Sequence, residues 1–331
     1  MSVKRPLSAV FHADMRKDYR RNQPSQEQKS QRKRAFTLLL CGLLCLLATS
    51  SSTQLFILKP IAVPPSLPPV GDATIVVAPG FDTCVAPPPD LLETWWNESP
   101  YQWLNIYLGG VSMFPTCGGK NLTPDWVRTV YAQGWSLLPT WVGPQAPCAV
   151  QHTVMSSNAA ISYAQGMDEA DAAINSANRL GFSSTAPIYF DMEHFNPIKP
   201  NGSRDTACIQ AVNAFLSGWD YELTTRGHLS GVYASASNYP LLDSAATVAP
   251  SAAWIAGGNS WTTKYNSQCT VYGNKYLSDN AWDADQRIYQ YTGGHKETYG
   301  QQSWNIDSDC ADAPMVGHIT TMSLVIQSRF P

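Results

Sequence analysis

Two carboxylic acids stand two residues apart in Tyr189-Phe190-Asp191-Met192-Glu193-His194, at the end of a short β-favouring run. On a strand alternate side chains share a face, so Asp191 and Glu193 would point the same way, with α-carbons about 6.5–7 Å apart. Carboxyls that close repel, and one keeps its proton to a higher pH than the other. Cleavage of a glycosidic bond needs that division: a neutral acid for the leaving oxygen and an anion beside or opposite it. Glu193, longer and further out, is the expected acid. Asp191 is the expected anion, orienting Glu193 or stabilising positive charge at the anomeric carbon. The same spacing also caps loops and binds Ca²⁺, so the pair means chemistry only in company. Asp82 in Gly80-Phe81-Asp82 and Asp307 in Asn305-Ile306-Asp307 supply that company from the two ends of the foldable sequence.

Such residues need a scaffold that converges them. Strands are expected at 73–78, 103–108, 135–141, 186–191, 229–234, 252–256, 287–291 and 304–307, and helices at 89–98, 123–133, 159–180, 206–225 and 239–246. Thr123-Pro124-Asp125 reads as an N-cap followed by proline in the first turn, with Gly134 after the last turn. Asn178-Arg179-Leu180-Gly181 reads as a basic last turn and a glycine C-cap. Strand–helix alternation implies parallel pairing, and eight strands suggest closure into a (β/α)8 TIM-like barrel of the α/β class. A doubly wound open sheet is the competing arrangement, and the closing half has weak or missing helices.

In a barrel of this kind reactive side chains gather at the carboxyl ends of the strands. Those ends collect acids, amides and aromatics with almost no Lys or Arg. Tyr107, Trp141, Tyr233, Trp254, Tyr289 and Tyr291 lie there as candidate platforms for the apolar face of a sugar, with core packing as the equal alternative. Trp95, Trp96, Trp126 and Trp135 fall at packing positions. His194 could shuttle a proton, although bonding a loop carbonyl is the commoner use. A phosphorylated substrate would call for cations or glycine-rich amide loops, which the strand ends lack. Ser235 has no GxSxG context and the histidines no HExxH spacing, so neither a serine nucleophile nor a metal site is expected, and no cofactor.

The flanking sequence sets the compartment. Residues 1–34 hold ten Lys or Arg against three Asp or Glu, and residues 35–58 open with the apolar run AFTLLLCGLLCLLA. A basic segment, an apolar core and small residues after it describe an export signal, or an uncleaved signal anchor if the apolar run extends to Leu58. Lys33-Arg34-Ala35-Phe36-Thr37-Leu38 resembles a twin-arginine export signal with Lys in the first arginine position. Residues 59–71 form a proline-rich linker, and 72–331 the barrel. The chain totals −3, so subtracting the +7 of the tail leaves about −10 on the remainder. An acidic body without a basic stripe argues against nucleic acid as a partner. A membrane is expected as partner only through the N-terminal segment, if it is uncleaved. Cys84, Cys117, Cys148, Cys208, Cys269 and Cys310 remain beyond the apolar run, an even number without CxxC spacing. They read as up to three disulfides of unassigned connectivity in an extracytoplasmic protein.

Gly80-Phe81-Asp82, Tyr189-Phe190-Asp191-Met192-Glu193, Gly231-Val232-Tyr233, Trp254-Ile255-Ala256, Tyr289-Gln290-Tyr291 and Asn305-Ile306-Asp307 occur in an order that resembles a glycoside-hydrolase-like domain of unknown function from secreted bacterial proteins. The order is also similar to glycoside hydrolase family 25, lysozymes that cleave peptidoglycan. The resemblance spans residues 73–313. It implies a barrel, with Asp82 as the first-strand acid, Asp191 and Glu193 as the DxE whose Glu is the general acid, and Asp307 as the last-strand acid. Thr83-Cys84-Val85-Ala86-Pro87 departs from family 25, whose first motif continues into a serine-rich, aromatic stretch. The expected function is a secreted or surface-anchored glycoside hydrolase acting on a cell-wall or extracellular glycan, a polysaccharide or peptidoglycan. A catalytically inactive barrel that binds the same glycan is the second reading, and a structural surface protein whose acids bind Ca²⁺ the third.

Overall fold

A computed structural model describes residues 69–150, 153–242, 250–259 and 261–317. The expected basic tail, the apolar segment and nearly all of the proline-rich linker lie outside these residues. The last of the linker already belongs to the folded body, because Val70 is buried and its N–H donates to the Gly181 carbonyl at 2.7 Å.

The chain order is β1 (Ala73–Asp82), α1 (Pro89–Glu98), β2 (Trp103–Gly109), α2 (Pro124–Gln133), β3 (Ser136–Trp141), α3 (Ala159–Leu180), β4 (Ile188–Met192), α4 (Thr206–Thr225), β5 (Ser230–Ser235), α5 (Tyr239–Leu242), β6 (Ala252–Ala256), β7 (Arg287–Gln290), β8 (His295–Tyr299) and β9 (Gln302–Val316). Neighbours from β1 to β7 pair in parallel. β9 then fills the gap between β7 and β1 and closes a mixed, eight-stranded barrel. The predicted caps form: Thr123 Oγ1 accepts from the Trp126 N–H at 3.1 Å, and Gly134 and Gly181 adopt left-handed backbone at the ends of α2 and α3.

The closing strand corrects the expectation of eight parallel repeats. β9 runs antiparallel to both neighbours and continues to Val316, far past the predicted 304–307. A parallel return needs a crossover of a dozen or more residues, usually a helix. After β7 the chain instead makes β8 and turns back at once through Gly300 and Gln301, both at positive φ, as a two-residue hairpin turn matched to strand twist demands.

Alternation sorts the side chains into two cores. Ala78, Trp103, Leu138, Tyr189, Trp254, Ile288, Ala311, Ala313 and Met315 fill the barrel interior. Phe81, Leu104, Ile106, Leu137, Phe190, Val232 and Ile255 point outward against the helices. The longest helices, α3 and α4, touch backbone to backbone: a Cβ on Gly166 would lie 2.0 Å from the Phe215 oxygen, and one on Gly218 2.0 Å from the Tyr163 oxygen. That approach clamps the helical layer behind β4. Three disulfides, Cys84–Cys117, Cys148–Cys208 and Cys269–Cys310, use all six expected cysteines.

Candidate active site

The inward column of each strand ends at one mouth of the barrel. β1 contributes Asp82, β2 Tyr107, β4 Asp191 with Glu193 just beyond it, β5 Tyr233, β7 Gln290 and β9 Asp307. Asp82, Asp191, Glu193 and Asp307 line a single cavity of about 400 Å³, with Tyr107, Thr83, Met113, Phe114 and Trp304 among its other walls. The four expected acids therefore share one opening. Asp307 arrives by the reverse route, near the start of a descending strand rather than at the end of an ascending one.

The backbone under Glu193 is braced by a side chain from the loop after β3. The Gln145 amide is fully buried, donates to the Asp191 carbonyl at 2.8 Å and accepts from the Glu193 N–H at 2.8 Å. The Cys148–Cys208 bridge ties this loop to the start of α4. On the other side Gln290 Nε2 donates to Asp82 at 2.7 Å and to Asp307 at 3.3 Å, while its Oε1 accepts from the Tyr233 hydroxyl at 3.1 Å. One amide thus links three strands of the mouth.

Below the rim the acids are out of water. Burial pushes Asp191 well above the usual carboxylate range, the Glu193 and Asp82 charges add to the shift, and a hydrogen bond with Tyr107 opposes it. Asp82 is raised by burial and then by Asp307, against the Gln290 hydrogen bond. Asp309, fully buried, is raised by burial and by Asp82, although it accepts from Trp254 Nε1 at 2.8 Å. Asp307 is less enclosed: burial lifts it to about 6 while His295 pulls it down. Desolvation disfavours the charged form of each acid, and without a cation it wins. Burial works against the expected role of Asp191 as an anion, since it favours the protonated form of that carboxyl.

The aromatic expectations divide. Tyr107 lines the cavity with the acids, Tyr233 reaches them through Gln290 without lining it, and burial with the nearby carboxyls raises both phenols. Trp141 points outward and donates to Glu169 at 2.6 Å. Tyr289 and Tyr291 flank the inward Gln290 and therefore pack in the outer core. Trp254 lies inside the barrel but beneath the cavity, with its indole N–H held by Asp309. These four do not line the opening, and His194 is exposed beside it. The walls come instead from Phe114, 67% exposed, and from Trp304, whose indole N–H donates to Thr83 Oγ1 at 3.1 Å. Gln145, Gln290, Asp309, Phe114 and Trp304 were not read as site residues from the sequence. Strict alternation along 287–291 was the available signal for Gln290, and the repeat of the two-residue acid spacing at 307–309 the signal for Asp309.

A closed barrel whose mouth is lined by converging carboxyls and aromatic walls defines a glycoside-hydrolase-like domain. The family comparison agrees: residues 93–311 match the Rv2525c-like, glycoside hydrolase-like domain, and the chain belongs to that family. The resemblance drawn from the ordered motifs holds at this level. Among solved structures, an uncharacterized B. stearothermophilus protein is similar at 18% identity and a TM-score of 0.46, over 71% of this chain and 96% of that one. The Tat-secreted protein Rv2525c of Mycobacterium tuberculosis is similar at 14% identity and a TM-score of 0.42, over 71% and 96%. A family GH25 lysozyme from Aspergillus fumigatus is similar at 13% identity and a TM-score of 0.40, over 74% and 96%. No curated protein matches the sequence.

Proposed function

We propose that this domain hydrolyses a glycosidic bond in a cell-wall or extracellular glycan, outside the cytoplasm. The observation that carries the reading is the presence of Asp82, Asp191, Glu193 and Asp307 in one cavity walled by aromatic side chains. Burial favours the protonated form of Asp191, and Glu193 beside it stands half-buried at the cavity, within reach of a bound substrate. Glu193 protonates the leaving oxygen as the bond from the anomeric carbon to that oxygen breaks. Asp307, an anion above about pH 6, faces the positive charge that develops on the sugar ring. Water then supplies the hydroxyl of the new reducing end, and its remaining proton restores the acid. Phe114 and Trp304 offer ring faces to the apolar side of a pyranose. Three disulfides support a location where thiols are oxidised. Among the described residues no helix is long and apolar enough to cross a membrane.

The test is release of reducing ends from purified peptidoglycan and from soluble chitin oligosaccharides. Wild-type protein releases them, and Glu193→Gln does so about 10²–10⁴-fold more slowly, the usual worth of a general acid. Pull-down of the glycan by both proteins, with no reducing ends from either, would leave a binding barrel and sink the hydrolase.

A further inference from the structure

The cavity holds acid without a counter-ion. None of the described residues that line it is Lys, Arg or His. Arg287 is buried, but it serves the foot of β7, donating to the Trp282 carbonyl at 2.6 Å and the Val271 carbonyl at 3.3 Å. His295 acts on Asp307 from hairpin strand β8 and is itself bonded to Glu297 at 2.8 Å. At the centre of the cavity a second feature points to a missing donor. Asp191 is 4% exposed and its carboxyl has a hydrogen bond with Tyr107, yet its Oδ1 has no hydrogen-bond partner among the described residues. Leaving a buried acceptor unpaired is costly, so a ligand that donates to it gains more than an ordinary hydrogen bond.

We propose that the sugar bound over Asp191 carries a free ammonium group, which makes the preferred substrate a glycan of de-N-acetylated hexosamines. This rests on the cavity being the glycan site. An ammonium gives Asp191 Oδ1 a charge-assisted donor and supplies the positive charge that the acid cluster lacks. It also stabilises the carboxylate form of Asp191, against the effect of burial. An N-acetylated sugar offers an amide N–H but no charge. A sugar bearing a carboxylate, such as a muramic acid, brings another acid to a cavity whose described lining offers no Lys, Arg or His to pair it. Ca²⁺ fits less well, since among the described residues no three His, Cys, Asp or Glu side chains group as a metal site.

Calorimetric titration of the whole protein with the glucosamine hexamer and with its fully N-acetylated counterpart, in mildly acidic buffer, tests this. The amine hexamer should bind about tenfold more tightly or better, and added salt should erode its affinity far more than that of the acetylated hexamer. Asp191→Asn should bring the two affinities close together, with circular dichroism reporting whether that variant folds. The salt series on wild-type protein decides the matter if it does not. Equal affinity, tighter binding of the acetylated hexamer, or an amine preference insensitive to salt overturns the proposal. Hydrolysis is read separately on the same two hexamers. Cleavage of the acetylated hexamer with no amine preference leaves the hydrolase standing without this selectivity. An amine preference with no cleavage of either leaves the selectivity without the hydrolase.

Discussion

Strands β4 and β9 carry the same device in opposite directions. Each sets two acids two residues apart on its inward face, Asp191 with Glu193 on one and Asp307 with Asp309 on the other. β4 ascends, so its second acid reaches the rim; β9 descends, so its first one does. The result is a tier of rim acids, Glu193 and Asp307, above a tier of buried ones, Asp191 and Asp309. The supports differ as well. β9 is held by backbone ladders to β1 and β7 around Asp307 and Asp309. Glu193 lies past the last paired residue of β4, and the Gln145 amide does for it what a neighbouring strand does for β9. Spacing therefore sets which acids share a face, while strand direction and support set which can meet a substrate.

The largest expected effect tests the two tiers directly. Asp307→Asn should lower the hydrolysis rate about 10²–10⁴-fold, as Glu193→Gln does. Its unfolding free energy in urea should stay within about 0.5 kcal/mol of wild type. Asp309→Asn should leave the rate near that of wild type and change the unfolding free energy instead, raising it where rising pH works against the buried carboxyl. If Asp309→Asn lost as much activity as Asp307→Asn at unchanged stability, the division into tiers would be wrong.

Next in size is the loop that braces β4. Replacing Cys148 and Cys208 by Ser removes a cross-link that closes 60 residues and should cost about 3–4 kcal/mol of stability, measured by urea unfolding. Gln145→Ala leaves the Asp191 carbonyl and the Glu193 N–H unpaired, at about 1–3 kcal/mol. It should lower kcat more than it raises KM, since it loosens Glu193, the proposed acid, and not the aromatic walls of the cavity. A change confined to KM would show that the brace serves binding instead.

The buried tier has a pH signature. A carboxyl whose folded-state pKa is raised contributes stability that is full below its unfolded value near 3.8 and is lost as pH rises through the folded value. Asp82, Asp191 and Asp309 all shift in this direction. The protein should therefore lose stability from pH 4 upward, with a slope of at most about 1.4 kcal/mol per pH unit for each such carboxyl that titrates. Asp309→Asn should reduce that slope in unfolding series across pH. An unchanged slope would show that burial does not hold a proton on this acid.

The smallest effect sharpens the rim. Asp307, lifted to about 6 by burial and held down by His295, should give the rate profile an acid limb near that pH. His295→Asn removes the opposing influence and should move the limb to higher pH, by up to about one unit. An unmoved limb would assign it to another group.

Much of the scaffold was legible along the chain. Seven of the eight predicted strands overlap parallel strands, because each is a short β-favouring run and the first five are followed by helices. The eighth is a strand as well, but its direction and length depart from expectation for a reason outside local sequence. Residues 304–307 look like any other strand, and antiparallel closure becomes visible only once the hairpin turn at Gly300 and Gln301 is in place. The aromatic candidates were harder. Tyrosines suit sugars, which favours Tyr289 and Tyr291 over Gln290 in the sequence, but a barrel strand has packed faces on both sides and its larger rings lie in the outer core. Phe114 and Trp304 reach the cavity from a loop and a hairpin, where no period announces an orientation.

Sequence alone determined which acids share a face, since alternation along a strand is a local property of the extended backbone. It also set the count of cysteines, the helix caps, and the convergence of Asp82, Asp191, Glu193 and Asp307 implied by the family resemblance. Tertiary structure decided the depth of each acid. Depth depends on strand direction, on barrel closure and on neighbours brought from distant parts of the chain, and depth is what desolvates a carboxyl and lifts its pKa. For that reason the Asp191 and Glu193 pair could be found from spacing, while the upward shift that burial imposes on Asp191 emerged only from the folded barrel.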